Sequence, residues 1–185
     1  AAVVTETSKR TTQLSPQLFD LTSLQREANN KFGFSAKTTL AIAQALYEKH
    51  KLLTYPRTDS RALPEDYLGT VQETLHLLSG TQAYQPYAEE ILQKNWVKPN
   101  RRIFDNAKIS DHFAIIPTLQ TVKTGLSEAE LKVYDLVVRR FMAVFYPAAQ
   151  FDVTTRISKV DGDHFKTEGK VLSEPGWMAV YGREA

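Results

Sequence analysis

The sequence predicts an α+β protein in which a mainly helical domain is inserted into a small β domain built from both chain ends. Three observations predict it. Apolar residues recur at helical spacing through a long central block, and the code switches to period-two alternation from Phe151 onward. The first residues are also extended in character, with Val3, Val4 and Thr5 favouring β backbone. The expected divisions are a β strand and polar exit over 1–17, a helical domain over 18–149, and returning strands over 150–185.

Each element has a local reason. Ser15-Pro16 ends the first strand. Thr22 and Gln25 form a T-x-x-Q capping pattern that predicts a helix carrying Leu24, Ala28 and Phe32, with Gly33 suited to its end. Ser35 predicts a second helix with Leu40, Ala43, Leu46 and Tyr47 on one face, ending near His50. Residues 51–62 break the period. Pro64 suits a first helical position, and Glu65 and Asp66 suit the positive end of a helix through Val71, Leu75 and Leu78 to Gly80. A shorter helix is predicted from Tyr84 to Lys94, and 95–118 reads as a long irregular loop. Ser127 and Glu130 cap the last helix, whose stripe is Leu131, Tyr134, Val137, Val138, Phe141 and Phe145, with Pro147 as the stop. Arg139-Arg140 reads as its solvated edge. Asp161-Gly162 is a hairpin signal, and 164–172 and 177–181 are predicted strands.

Composition bounds the function. The chain has 185 residues, 42% hydrophobic and 24% charged, with a formal net charge of +2. This is a globular balance, and so small a positive excess is no nucleic-acid signature by itself. Cysteine is absent, which excludes disulfides, thiol catalysis and Cys-ligated zinc. No stretch approaches the roughly 18 apolar residues of a membrane span. The start is polar, lacks Met and has no signal-peptide profile, so the chain is expected to be an internal piece of a longer protein.

The most informative stretch is Leu53-Thr54-Tyr55-Pro56-Arg57-Thr58-Asp59-Ser60-Arg61. Tyr55 precedes proline, which favours extended backbone. If that geometry persists across Pro56, Tyr55 and Arg57 leave on the same side. A phenol beside a guanidinium suits a phosphodiester: the planar fork clamps two phosphate oxygens and steadies the charge of an attack. A protonated phenol is a weak nucleophile at neutral pH, so activation needs such help. The plainer reading is a packed tyrosine with Arg57, Asp59 and Arg61 in surface ion pairs. A second stretch, Lys108-Ile109-Ser110-Asp111-His112-Phe113-Ala114-Ile115-Ile116-Pro117-Thr118, places His112 before an apolar run. His112 could donate to a phosphate or move a proton, or simply bond to Asp111. Lys108 could meet a phosphate or be solvated. Lys94, Lys98, Arg101 and Arg102 flank Trp96 and Phe104, a pattern that fits a single-strand path or a surface loop. Asp161-Gly162-Asp163 is better explained by its turn than by a metal.

Taken together, these stretches resemble type IA DNA topoisomerases, nearest the bacterial topoisomerase III branch. The run LYEKHKLLTYPRTDSRALPEDY is similar to the family's active-site segment, and DHFAIIPT to its histidine motif. LTSLQREANNKFGFSAKTTLAIAQALYE matches the preceding helices, and HFKTEGKVLSEPGWMAVYG resembles a strand pair containing Gly-Trp. The resemblance covers nearly the whole chain in order.

The resemblance implies catalytic roles for Tyr55, Arg57 and His112. Tyr55 would attack one DNA strand, forming a 5′-phosphotyrosine and releasing a 3′-hydroxyl, so that resealing needs no ATP. Arg57 would hold the scissile phosphate, and His112 would contact DNA beside it. Lys108, Gln44 and Arg61 are candidate DNA contacts. Asp111 stands where the family often has Ala, and Phe113 where it often has His or Glu. The resemblance also implies a separate Toprim domain that binds magnesium; its acidic cluster does not occur in this sequence, so no metal site and no cofactor are expected within it. Mg2+ is expected in the longer enzyme. The expected partners are DNA, chiefly single-stranded, and the remaining domains of the same polypeptide, with no membrane. The β domain would act as a hinge during strand passage. A bacterial, cytoplasmic and nucleoid-associated setting is implied. Two readings from other classes stand beside this one. A non-catalytic single-stranded DNA-binding module rests on 94–104. A tyrosine recombinase would form a 3′-phosphotyrosine, with its nucleophile near the C-terminus rather than early.

Overall fold

A computed structural model describes residues 2–185. The architecture is α+β, and the chain divides into two compact units: Pro16–Phe145, and the residues up to Ser15 together with Tyr146–Ala185. The second unit is thus assembled from both chain ends.

The helical unit holds α1 (Leu21–Phe32), α2 (Ala36–Glu48), α3 (Leu68–Leu78), α4 (Gln85–Gln93) and α5 (Glu128–Ala143). Asp20, not Thr22, caps α1. Its carboxylate accepts from the Ser23 amide at 2.8 Å, and Ser23 Oγ answers the Asp20 amide at 3.0 Å. A carboxylate one residue ahead of the helix outcompetes a hydroxyl inside it, and Gln25 instead donates to the Ala36 carbonyl at 3.0 Å. Gly33 closes α1 with φ +71°, the left-handed backbone that glycine adopts without strain. Ser35 caps α2. After Pro64 a single 3₁₀ turn, Glu65–Tyr67, leads into α3.

α5 is the central helix. Ser127 and Glu130 form the expected reciprocal cap, but the expected stripe is corrected at Leu131 and within the helix, while Phe145, just past the helix end, is buried as expected. Leu131 is 46% exposed, whereas Val133 and Leu136 are buried with Tyr134, Val137, Val138 and Phe141. The helix sinks deeper along its length, so its second half is covered on most sides. Arg140 is therefore no solvated edge: it is buried, donates to the Gln17 carbonyl at 3.0 Å and lies 4.0 Å from the Phe19 ring centroid. Arg139 pairs with Asp135 at 3.0 Å.

The long segment before α5 is irregular but not loose. The Ile115 amide donates to the Phe19 carbonyl (2.9 Å), the Thr54 amide to Ile116 (3.0 Å), and the Ala114 amide to Ala62 (3.0 Å). Isolated antiparallel bridges join Phe19 to Ile115 and Leu53 to Pro117. Ala114, Ile115 and Ile116 are at most 1% exposed. The apolar run of the histidine motif is thus a buried extended thread that finds its backbone partners on three different segments.

The β unit is a three-stranded antiparallel sheet in the order β1 (Val3–Gln13), β2 (Ala149–Val160) and β3 (Asp163–Glu174). Asp161 and Gly162 turn the hairpin with φ +50° and +88°, the two positive values a type I′ turn requires. The expected strand at 177–181 is instead a 3₁₀ helix, Gly176–Tyr181. Gly176 has φ +50° and sits against the Pro147 carbonyl oxygen, while Trp177 turns inward and donates to the Gln13 carbonyl at 2.9 Å. A strand would leave this indole without its partner.

Candidate active site

Tyr55 is held between a helix and a thread. The α2 residue Tyr47 meets its ring edge-on, with centroids 5.3 Å apart and planes at 83°. His112 lies against it at 4.1 Å and 30°. The residue before Tyr55 creates this meeting. Thr54 Oγ1 donates to the Ala114 carbonyl at 2.9 Å and accepts from the Ile116 amide at 3.0 Å. Together with the backbone bond from the Thr54 amide, this staples the tyrosine segment to the histidine segment. The chain bends at Pro56-Arg57, so the extended geometry does not persist past the proline. Pro56 is buried and Arg57 is exposed.

Among the described residues, the hydroxyl of Tyr55, the guanidinium of Arg57 and the ring nitrogens of His112 have no hydrogen-bond or ion-pair partner. Tyr55 and His112 are thus ordered by ring packing and left chemically open, and Arg57 is exposed and unpaired beside them in sequence. The surface ion-pair alternative for this stretch holds only for Arg61, whose Nε lies 3.3 Å from Asp20. Asp111 is exposed and makes no bond to His112. Phe113 packs on Tyr67 at 5.1 Å.

The other candidate contacts are occupied to different degrees. Lys108 Nζ donates to the Arg101 carbonyl at 2.9 Å and stands 4.0 Å from Asp105. Gln44 donates to Glu48 at 2.8 Å, while its Oε1 is buried without a partner. Gln44 lies three residues before Tyr47 on α2, hence on the same helical face. In the 94–104 stretch, Phe104 is buried and cannot offer a stacking face. Lys94 sits over the Trp96 ring at 5.1 Å and pairs with Glu90 at 2.9 Å.

Sequence reasoning missed Tyr47 as the wall of the site and Thr54 as its clasp. The signal for Thr54 was present: a lone hydroxyl beside Leu52 and Leu53 in an apolar run needs a partner when half-buried. Two carboxyls brace the surrounding elements. Burial raises the Asp20 carboxyl, but the Ser23 hydrogen bonds and the Arg61 charge outweigh it and hold it below its ordinary range. The Glu130 carboxyl is likewise lowered, first by the Ser127 amide and then by His50, whose Nε2 lies 2.9 Å away. Burial beside Asp135 drives the Tyr84 phenol far upward, which keeps its hydroxyl a donor to Asp135 at 2.8 Å.

Comparison with known proteins shows the family. A family model described as DNA topoisomerase matches residues 1–185. The chain is 48% identical to DNA topoisomerase 3 of Bacillus cereus over 182 residues, covering 98% of this chain and 25% of that protein. It is 45% identical to DNA topoisomerase 3 of Bacillus subtilis over 184 residues, again covering 25% of the relative. It therefore spans about a quarter of the length of these relatives. Among solved structures, full-length topoisomerase I from Thermotoga maritima superimposes with a TM-score of 0.68 at 23% identity, covering all of this chain and 30% of that one; at that identity the likeness speaks for the fold alone. No helix among the described residues is long and apolar enough to cross a membrane. The chain belongs to the DNA topoisomerase family, within its type IA class.

Proposed function

We propose that this chain is the nucleophile-bearing part of an ATP-independent type IA DNA topoisomerase, which cuts one DNA strand, holds it through Tyr55, passes DNA and reseals the cut. The observation that carries the reading is the pairing of Tyr55 with His112, fixed by Tyr47 and open in its polar atoms, with an unpaired, exposed Arg57 two residues along the chain.

In the proposed reaction the Tyr55 oxygen bonds to phosphorus, the bond from phosphorus to the 3′-oxygen breaks, and the phenolic proton is given up as the departing 3′-oxygen gains one. The product is a 5′-phosphotyrosine. Because one phosphoester replaces another, the reverse step reseals the strand without an energy source. Arg57 clamps two non-bridging oxygens and offsets the charge that develops on them. His112 stands against the attacking ring, where it can donate to the same phosphate. Edge-on packing by Tyr47 limits the ring to few orientations, so less entropy is lost on reaching the attack geometry. Gln44, Arg61 and Lys108 are proposed to contact the DNA around this centre.

No step above is routed through magnesium. Among the described residues no group of three or more His, Asp or Glu could hold an ion. The residues do not fit the metal, and the reading leaves it to the rest of the longer polypeptide, with a Toprim domain. The same reading makes DNA, chiefly single-stranded, the substrate, and a bacterial cytoplasm with the nucleoid its setting. The test is Tyr55→Phe in an enzyme of the relatives' length. Loss of all covalent attachment to a single-stranded oligonucleotide is expected; an adduct that persists would show that another residue attacks.

A further inference from the structure

A second feature of the helical unit lies outside the tyrosine centre. A polar cleft of about 340 Å³ opens at the C-terminal end of α2, walled on one side by Lys49, His50 and Lys51 and on the other by Gln120, Thr121 and Lys123. No Asp or Glu lines it. Among the described residues, Lys49, Lys51 and Lys123 have no ion-pair or hydrogen-bond partner for their ammonium groups. Three cations without acid partners around one concavity give it a positive potential, which favours a polyanion there. Glu130, the nearest acid in the hydrogen-bond network of the cleft wall, is used up: one oxygen accepts from the Ser127 amide and the other faces His50.

The cleft also lies close to the nucleophile along the chain. Lys51 is four residues from Tyr55, and four residues of chain reach at most about 14 Å. That is the length of roughly four stacked nucleotides at 3.4 Å each. The wall that carries Lys123 is tied to the same segment, because Thr118 Oγ1 donates to the Lys51 carbonyl at 2.6 Å and the Thr118 amide to Leu52 at 3.0 Å. The cleft therefore keeps a fixed distance from the nucleophile. Lys51 also adopts φ +57°, a left-handed backbone uncommon for lysine.

We propose that the Lys49, Lys51 and Lys123 cleft is a phosphodiester-binding subsite that grips the same single strand of DNA a few nucleotides from the phosphate attacked by Tyr55. The proposal rests on the topoisomerase reading. Ammonium groups act as point charges on phosphate and carry no base preference, so the subsite fixes the strand's path and not its sequence. A competing role exists for two of the three: Lys49 and Lys51 follow the C-terminus of α2, where cations favour the helix dipole. Lys123 lies on the opposite wall and has no such role.

The test is binding of labelled oligo-dT to the full chain by fluorescence anisotropy over a range of salt. Replacing all three lysines by Ala is expected to weaken binding about tenfold at low salt. The same change is expected to lower the slope of log K against log salt by about 2, at roughly 0.7 for each phosphate no longer neutralised. Replacing all three by Arg is expected to restore both. The matched control replaces Lys37, Lys159 and Lys166, which lie outside the cleft. An unchanged affinity and slope in the Ala variant, an equal loss in the control, or no binding by the unaltered chain at low salt would each overturn the proposal. Melting followed by circular dichroism separates lost grip from lost fold: a variant that weakens binding only in proportion to unfolding also contradicts it. Tyr55 adduct formation in the longer enzyme is scored independently, so failure of the cleft and failure of the nucleophile are distinguishable.

Discussion

Thr54 is the smallest change that should separate the two halves of the site. Its hydroxyl serves the Ala114 carbonyl and the Ile116 amide at 2.9 and 3.0 Å, and both partner residues are at most 1% exposed. Thr54→Val keeps the shape and removes both bonds. Each net bond is worth about 1 kcal/mol, and a buried group left unpaired costs about 1–3 kcal/mol. The expected loss is about 3 kcal/mol. With a urea slope of roughly 2 kcal/mol/M, the unfolding midpoint falls by about 1.5 M. Thr54→Ser keeps the hydroxyl and gives up one methyl, about 0.8 kcal/mol. The assay is urea denaturation followed by circular dichroism, with the slope checked for constancy. A Val variant that loses no more than the Ser variant would refute the reasoning, because the hydroxyl would then not join the segments.

Three further outcomes follow from the same structure. Gly176→Ala should destabilise the β unit by about 3 kcal/mol, since a Cβ there would meet the Ala148 carbonyl oxygen at 2.5 Å and the Pro147 oxygen more closely still; a melting curve that does not move would contradict this. Asp20 and Glu130 ionise more readily folded than unfolded. Their stabilisation is complete above their ordinary values of 3.8 and 4.5 and is lost as pH falls below that range. Asp20→Asn with Glu130→Gln should therefore flatten the acid limb of the stability–pH curve, and an unaltered limb would count against both caps. Finally, the chain alone should show little or no relaxation of supercoiled DNA with magnesium, because the acidic cluster is not in it; brisk relaxation on an agarose gel would show that it is self-sufficient.

Much of the fold was legible because local chemistry and tertiary packing agreed. Ser35 and Ser127 cap the helices they precede, and Asp161-Gly162 turns the hairpin it signals. The extended first residues and the period-two run from Phe151 fall on β1 and β2. Legibility failed where long-range packing decided. Arg140 looks like surface by charge, yet the fold offers it a buried carbonyl and an aromatic face. Gly176–Tyr181 looks like strand by its apolar content, yet a left-handed glycine turns it into a 3₁₀ helix. The 113–118 thread shows no period because its bonds go to three separate segments. At the site, the residue types were readable from the Tyr-Pro-Arg and Asp-His-Phe runs. The stacking of Tyr47, Tyr55 and His112 was not, since it depends on Thr54 bringing distant segments together.

The polarity of the covalent linkage tests the central claim most directly. An enzyme of the relatives' length is incubated with a single strand labelled at either end, denatured, and the protein-bound label is mapped to its peptide. Only the fragment lying 3′ of the cut is expected to stay attached, joined through its 5′-phosphate to the peptide containing Tyr55, while the other fragment leaves with a free 3′-hydroxyl. Attachment through a 3′-phosphate, or to a peptide without Tyr55, would contradict the assignment.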